Sequence, residues 1–168
     1  MEAICKTDVK ISKVEQKLHE LGLELPPPPK PMAKYDLWRW EGNKIYIAGQ
    51  GPLVNGKCPE HLCGCLGKEL TLEDGIEAAQ ISALTVLSIL KAAVGDLDRV
   101  RLLRIQGFVA STDDFYRQPE VIDGASRLFK AVMGEKGGHA RIALGTNVLP
   151  FHTPLEIEVF AQVEDETK

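Results

Sequence analysis

The stretch TLEDGIEAAQISALTVLSILKAAVGD, residues 71–96, constrains the fold most. Thr71 is a natural N-cap, Asp74 stands three residues on as in a capping box, and Gly95 supplies a stop. Between them Ala78, Ile81, Leu84, Val86, Leu87, Ile89 and Leu90 leave little polar surface. A helix so nearly apolar is mostly buried, so other elements must cover it.

The rest of the chain supplies those elements. Leu37, Trp38 and Trp40 lead to the turn EGN, and Ile45, Tyr46 and Ile47 follow, which reads as two strands. GQGP breaks the second strand, and Asn55-Gly56 is a hairpin signal. After the long helix, RVRLLRIQGFVAST reads as a strand and QPEVIDGASRLFKAVMGEKGG as a helix with Pro119 near its start. ARIALGTNVLP and LEIEVFAQV are two closing strands. At the N-terminal end Ile11, Val14, Leu18 and Leu21 form one apolar helical stripe ending at Gly22. Pro26 to Pro29 then impose a stiff, extended arm, best read as a connector laid on the surface. The order strands, long helix, strand, helix, strand, strand predicts a single sheet in an α/β or α+β layer, with two helices on one face. At 168 residues the chain fits one domain, residues 35–168, preceded by the helix and proline arm of residues 1–34.

Charge narrows the function classes. A formal net charge of −4 gives no general attraction to phosphate backbones or anionic membranes, so no nucleic-acid partner is expected. MEAICKTDVK carries an early acid and no apolar core, and no uncharged run is long enough to span a bilayer. The expectation is a cytoplasmic protein without membrane contact, its cysteines reduced.

Four stretches together resemble one known family: GQGPL after a strand, TLEDGIEAAQISALTVLSILKAAVGDLDRV, GFVAS, and HARIALGTNVLP followed by LEIEVFA. They look like the RidA/YjgF family of reactive-intermediate (imine and enamine) deaminases, also called endoribonuclease L-PSP-like proteins. The match runs from about Tyr35 to Val163. The N-terminal helix and proline arm, DGASRLF and HAR look like a less-characterised subgroup. The resemblance implies a chorismate-mutase-like α+β fold and a homotrimeric barrel with clefts between subunits. It also implies hydrolysis of 2-imino or 2-enamino acids to 2-oxo acids and ammonia, with neither metal nor cofactor.

The family motif falls on Arg141, Leu149-Pro150 and Glu156. A guanidinium offers a planar fork that holds a carboxylate in two bonds and so orients the imine beside it. Glu156 can hold the attacking water or take its proton. Glu158 has the same strand parity, so alternation does not separate the two, and the resemblance selects Glu156. It also places Tyr35, Ala48, Gly49, Asp123 and Ala143 at the substrate. Characterised deaminases carry serine where this chain has Ala48 and Ile142, often cysteine where it has Ala143, and proline where it has His139. The expected pocket is therefore more apolar, and a non-catalytic protein binding small carboxylates is the alternative reading. Ribonuclease activity, attached to some family members, is disfavoured by the net charge of −4.

CPEHLCGC, residues 58–65, holds three of the four cysteines. Its spacing lacks the second close pair of a zinc finger. The family alignment makes it the return strand of a hairpin and the loop into the long helix, with no chemical task.

Overall fold

The computed structural model describes residues 11–165. Helix α1 (Lys13–Glu20) precedes the hairpin β1 (Trp38–Glu41) and β2 (Lys44–Gln50). Helix α2 (Leu72–Val94), β3 (Val100–Ala110), α3 (Gln118–Met133), β4 (Ala140–Thr146) and β5 (Leu155–Val163) follow. The five strands form one mixed sheet in the order β1-β2-β5-β3-β4, with only β3 and β4 parallel. This is the expected α+β layer.

Strand alternation decides which face meets the helices. Leu155, Ile157, Val159, Ala161 and Val163 of β5 are buried, as are Ile45 and Ile47 of β2. Both α2 and α3 cover that face, and α2 packs along α3. At Gly107 a side chain would collide with Ile122 of α3, 2.6 Å away, so glycine lets that helix close on the sheet. The capping box at Thr71 and Asp74 forms as expected. By length and apolar composition α2 could cross a membrane, yet Ala78, Ala79, Ala83, Val86, Leu87, Ile89 and Leu90 are fully buried in the core.

The N-terminal stripe is half right. Val14 and Leu18 are buried, but Ile11 and Leu21 are about half exposed because the helix spans only two turns. It is held at its start, where the Asp98 carboxylate accepts from the amides of Lys13 and Val14 at 3.0 and 3.2 Å. Beyond it the arm is tied to α2 by Ser88, whose hydroxyl donates to the Pro26 carbonyl at 2.6 Å.

One expectation fails. Asn55 and Gly56 do make a tight turn, with positive φ at both and two bonds between Val54 and Lys57. No return strand follows: residues 58–65 are a short 3-10 turn, Glu60–Leu62, and coil. Pro52 and Pro59 flank the turn symmetrically, and neither has an N–H to extend the ladder.

Candidate functional site

The family-motif residues collect in two places. The first lies where β2 runs past the end of β1. The β2–β5 register slips between Ile47 and Gln50, and this irregularity turns Ala48 and Gly49 out of the regular ladder. Glu156 of β5 lays its carboxylate directly over Gly49. A Cβ added there would sit 1.7 Å from Oε1, a space that only glycine leaves open. Tyr35, Ala48, Gly49 and Glu156 all line one cavity of about 1200 Å³, closed on other sides by the proline arm and α2.

Glu156 makes no hydrogen bond among the described residues, whereas Glu158 accepts one from Gln106. Strand parity cannot tell these two glutamates apart, but their partners can. Burial pushes the Glu156 carboxyl above the ordinary carboxylate range, and the neighbouring Glu158 charge adds to the shift.

The second group lies at the other edge of the sheet. Arg141 on β4 is in register with Ile105 on the helix-covered face. Its Nη1 donates to Asp123 at 2.7 Å and to Ser126 at 3.0 Å, both on α3. Nε and Nη2 have no partner among the described residues, so no described residue occupies the edge of the guanidinium that suits a carboxylate. Ala143 shares this face, in register with Gly107, and packs on the core. His139 extends the network. Its Nδ1 lies 2.7 Å from the Gly137 carbonyl and its Nε2 lies 3.0 Å from Ser126 Oγ. Since a carbonyl only accepts, Nδ1 carries the proton, and the Ser126 hydroxyl donates to Nε2 while accepting from Arg141. Burial lowers the His139 pKa, in keeping with this neutral ring.

Within one chain the two groups do not meet. Glu156 is in register with Phe108 on the face opposite the helices, whereas Arg141 points to the helix side. Sequence reading names Arg141, Asp123, Tyr35, Ala48, Gly49, Ala143 and Glu156 as candidates but not Ser126, which the structure places against Arg141. The signal was there: Asp123 and Ser126 are three apart and share a helix face. Nothing in the sequence marks Phe151, which also lines the cavity.

The cysteine stretch braces a neighbouring loop. The Gly64 amide donates to the His152 carbonyl at 3.0 Å. Cys63 Sγ donates to the Cys58 carbonyl at 3.5 Å, and Glu69 accepts from the Cys65 amide. Among the described residues no cluster of three His, Cys, Asp or Glu side chains could hold a metal; Cys5 lies outside them. Burial, then Cys63, pushes the Cys58 thiol up to about 12. Cys58 should therefore resist iodoacetamide at pH 8 in the native protein and react on unfolding. Replacing Cys58, Cys63 and Cys65 together with serine should cost about 1–2 kcal/mol at most. Stoichiometric zinc that disappears in the triple variant would overturn both expectations.

Fold and site together define a two-layer α+β protein, one sheet with helices on one face, with one acidic, cavity-lining strand position and one arginine held at the sheet edge. The chain belongs to the family described as "YjgF/chorismate mutase-like, putative endoribonuclease", whose profile matches residues 15–163. Protein TCP17 of Trypanosoma cruzi is 37% identical over 156 residues, covering 91% of this chain and 96% of that one. A solved structure of unknown function from Agrobacterium tumefaciens is 37% identical with a TM-score of 0.84, covering 90% of this chain and 93% of the other. One from Shewanella oneidensis is 29% identical with a TM-score of 0.85, covering 89% and 99%.

Proposed function

We propose that this protein hydrolyses 2-imino and 2-enamino acids in clefts between the subunits of a homotrimer. The observation that carries the reading is Glu156: half-buried, without a hydrogen-bond partner among the described residues, and lying over Gly49 in a large cavity. A carboxylate of raised pKa, free to accept, is a competent base for water. Arg141, with Nε and Nη2 open, grips the substrate carboxylate. The protonated imine, R–C(=NH2+)–COO−, takes water at carbon. The C–N bond then breaks, giving R–CO–COO− and NH4+. Asp123 and Ser126 hold Nη1 and so fix the guanidinium plane. The reaction calls for no metal or cofactor.

Because Arg141 and Glu156 occupy opposite faces of one sheet, a complete site needs Arg141 from one copy and Glu156 from the next. The face opposite the helices supports such assembly: Tyr46 and Leu144 are exposed there, and Tyr46 stacks edge-on against Phe160 at 5.1 Å. Light scattering should give three copies per particle. Arg141→Ala and Glu156→Gln chains, each strongly impaired alone, should regain part of the imine hydrolysis when co-refolded, because mixed trimers contain intact sites. No recovery from mixed trimers would exclude a shared site. A monomer at micromolar concentration would exclude the assembly.

A second reading keeps the cleft without the chemistry, as a carboxylate-binding protein. It is favoured by Ala48 and Ala143, which offer no side-chain hydrogen bond to a substrate. Binding of 2-oxo acids with no acceleration of imine hydrolysis would select it. Endoribonuclease activity is not expected, because the open sheet face carries Glu156 and Glu158 and the net charge is −4.

A further inference from the structure

We infer that the substrate bears a bulky apolar side chain, and that the proline arm is the wall that selects it. This rests on the imine-hydrolase reading above and concerns the part of the substrate remote from the reacting carbon.

Within one chain the Glu156 cavity is larger than the reaction needs, and a neighbouring copy that brings Arg141 to its mouth takes up only the side away from the arm and α2. Its volume of about 1200 Å³ lies above the range of about 300–1000 Å³ for drug-sized ligands, whereas the smallest 2-imino acid has only a handful of heavy atoms. The surplus space is apolar in origin. Pro26 to Pro29 and Met32 line one side, and Ile81 and Leu84 of α2 line another. Glu24 and Lys30 are the charged lining groups besides Glu156, and both belong to the arm segment.

The arm is fixed rather than loosely laid. Ser88 holds the Pro26 carbonyl, while Leu23 and Leu25 pack on the core just before it. Prolines stiffen the segment, so the wall is present before any ligand arrives. A pre-formed apolar wall discriminates by side-chain size.

The rim carries a further device. Phe151 and His152 are consecutive non-glycine residues with φ of 58° and 57°, a conformation that costs energy and persists only where surroundings impose it. The Gly64 bond to the His152 carbonyl supplies that restraint. Its outcome is a phenylalanine 61% exposed at the cavity lining, placed to close over an apolar group.

The test uses imines generated in situ from alanine, leucine and phenylalanine by an amino-acid oxidase, with the full-length protein. The parent should hydrolyse the leucine- and phenylalanine-derived imines with kcat/KM at least tenfold above the alanine-derived one. Leu84→Trp should fill the wall and lower kcat/KM for the two large substrates at least tenfold relative to the alanine-derived imine. Met32→Trp, at an exposed arm position where overpacking cannot unfold the core, should act in the same direction. If the parent prefers the alanine-derived imine, or if neither tryptophan shifts the ratio, the side-chain inference fails even though Arg141→Ala abolishes all three activities. If Arg141→Ala leaves all three rates unchanged, the underlying site reading fails, and this inference with it.

Discussion

Arg141→Ala should give a folded protein that binds 2-oxo acids roughly 10–150-fold more weakly than the parent, by calorimetry. The loss follows from a charge-assisted pair in a partly enclosed site, worth about 1.5–3 kcal/mol. The fold should survive because Arg141 sits on the edge strand β4 and its partner Asp123 remains partly open to water. The partly exposed Asp123 then regains hydration rather than being stranded as a buried charge. Arg141→Lys separates shape from charge. A lysine restores the positive charge but not the fork held by Asp123 and Ser126, so its affinity should fall between the two. Asp123→Asn is the informative control: it leaves Arg141 and its Ser126 bond in place but replaces the charge-assisted bond to Nη1 with a neutral one, so the guanidinium plane is less firmly held and affinity should drop severalfold. Equal binding by parent and Arg141→Ala would remove the carboxylate anchor and the hydrolase reading together.

How much of this was legible in the sequence depends on the length scale of the cause. Local causes were readable. The Thr71 and Asp74 box, the Gly95 stop and the alternation of β5 are set by neighbours a few residues away, and each formed where expected. The helix stripe of α1 was overextended because periodicity does not say where packing stops, and the two exposed positions lie just beyond its ends. The return strand after Asn55-Gly56 failed because the turn signal outweighed the two prolines flanking it. The candidate site residues are named only through the resemblance to a family, and their arrangement is not legible in the sequence. That Arg141 and Glu156 face opposite ways follows from how β4 and β5 each pair with β3, a register that no short stretch encodes. The proline composition of the arm points only to a surface connector. Its place as a cavity wall depends on the contact between Ser88 and Pro26, 62 positions apart. Long-range pairings of this kind are fixed by the whole core rather than by local pattern.

Gly49→Ala should abolish catalysis without unfolding the protein. The backbone at Gly49 does not require glycine, since it is absent from the positive-φ positions. The obstacle is the Glu156 side chain, whose Oε1, Cδ and Cγ lie 1.7, 2.7 and 3.0 Å from where the new methyl would stand. A flexible carboxylate end gives way more cheaply than backbone, so the sheet holds and Glu156 swings out. Displacing a general base costs roughly 10²–10⁴-fold in rate, and imine hydrolysis should fall by at least the lower figure. Glu156→Gln should match that loss by a different route, keeping the shape but removing the base. The double variant should then be no worse than either single, because both remove one function. Stability distinguishes them. Burial, then Glu158, raises the Glu156 pKa, so the folded state binds this proton more tightly than the unfolded chain does. Stability is therefore greatest below the ordinary carboxylate pKa of about 4.3 and declines as pH rises through the folded value. At neutral pH the ionised group costs stability, and Glu156→Gln removes that cost. It should be more stable than the parent at pH 7 by about 0.5–2 kcal/mol and melt correspondingly higher, and this gain should vanish in acid. The acid limb of the parent's pH–rate profile should lie above the ordinary carboxylate range and be missing from the residual activity of Glu156→Gln. A Gly49→Ala protein with parental activity would show that Glu156 need not lie over Gly49 to act. A Glu156→Gln protein that melts lower at pH 7 would show that the carboxylate is stabilised by its site rather than strained by it.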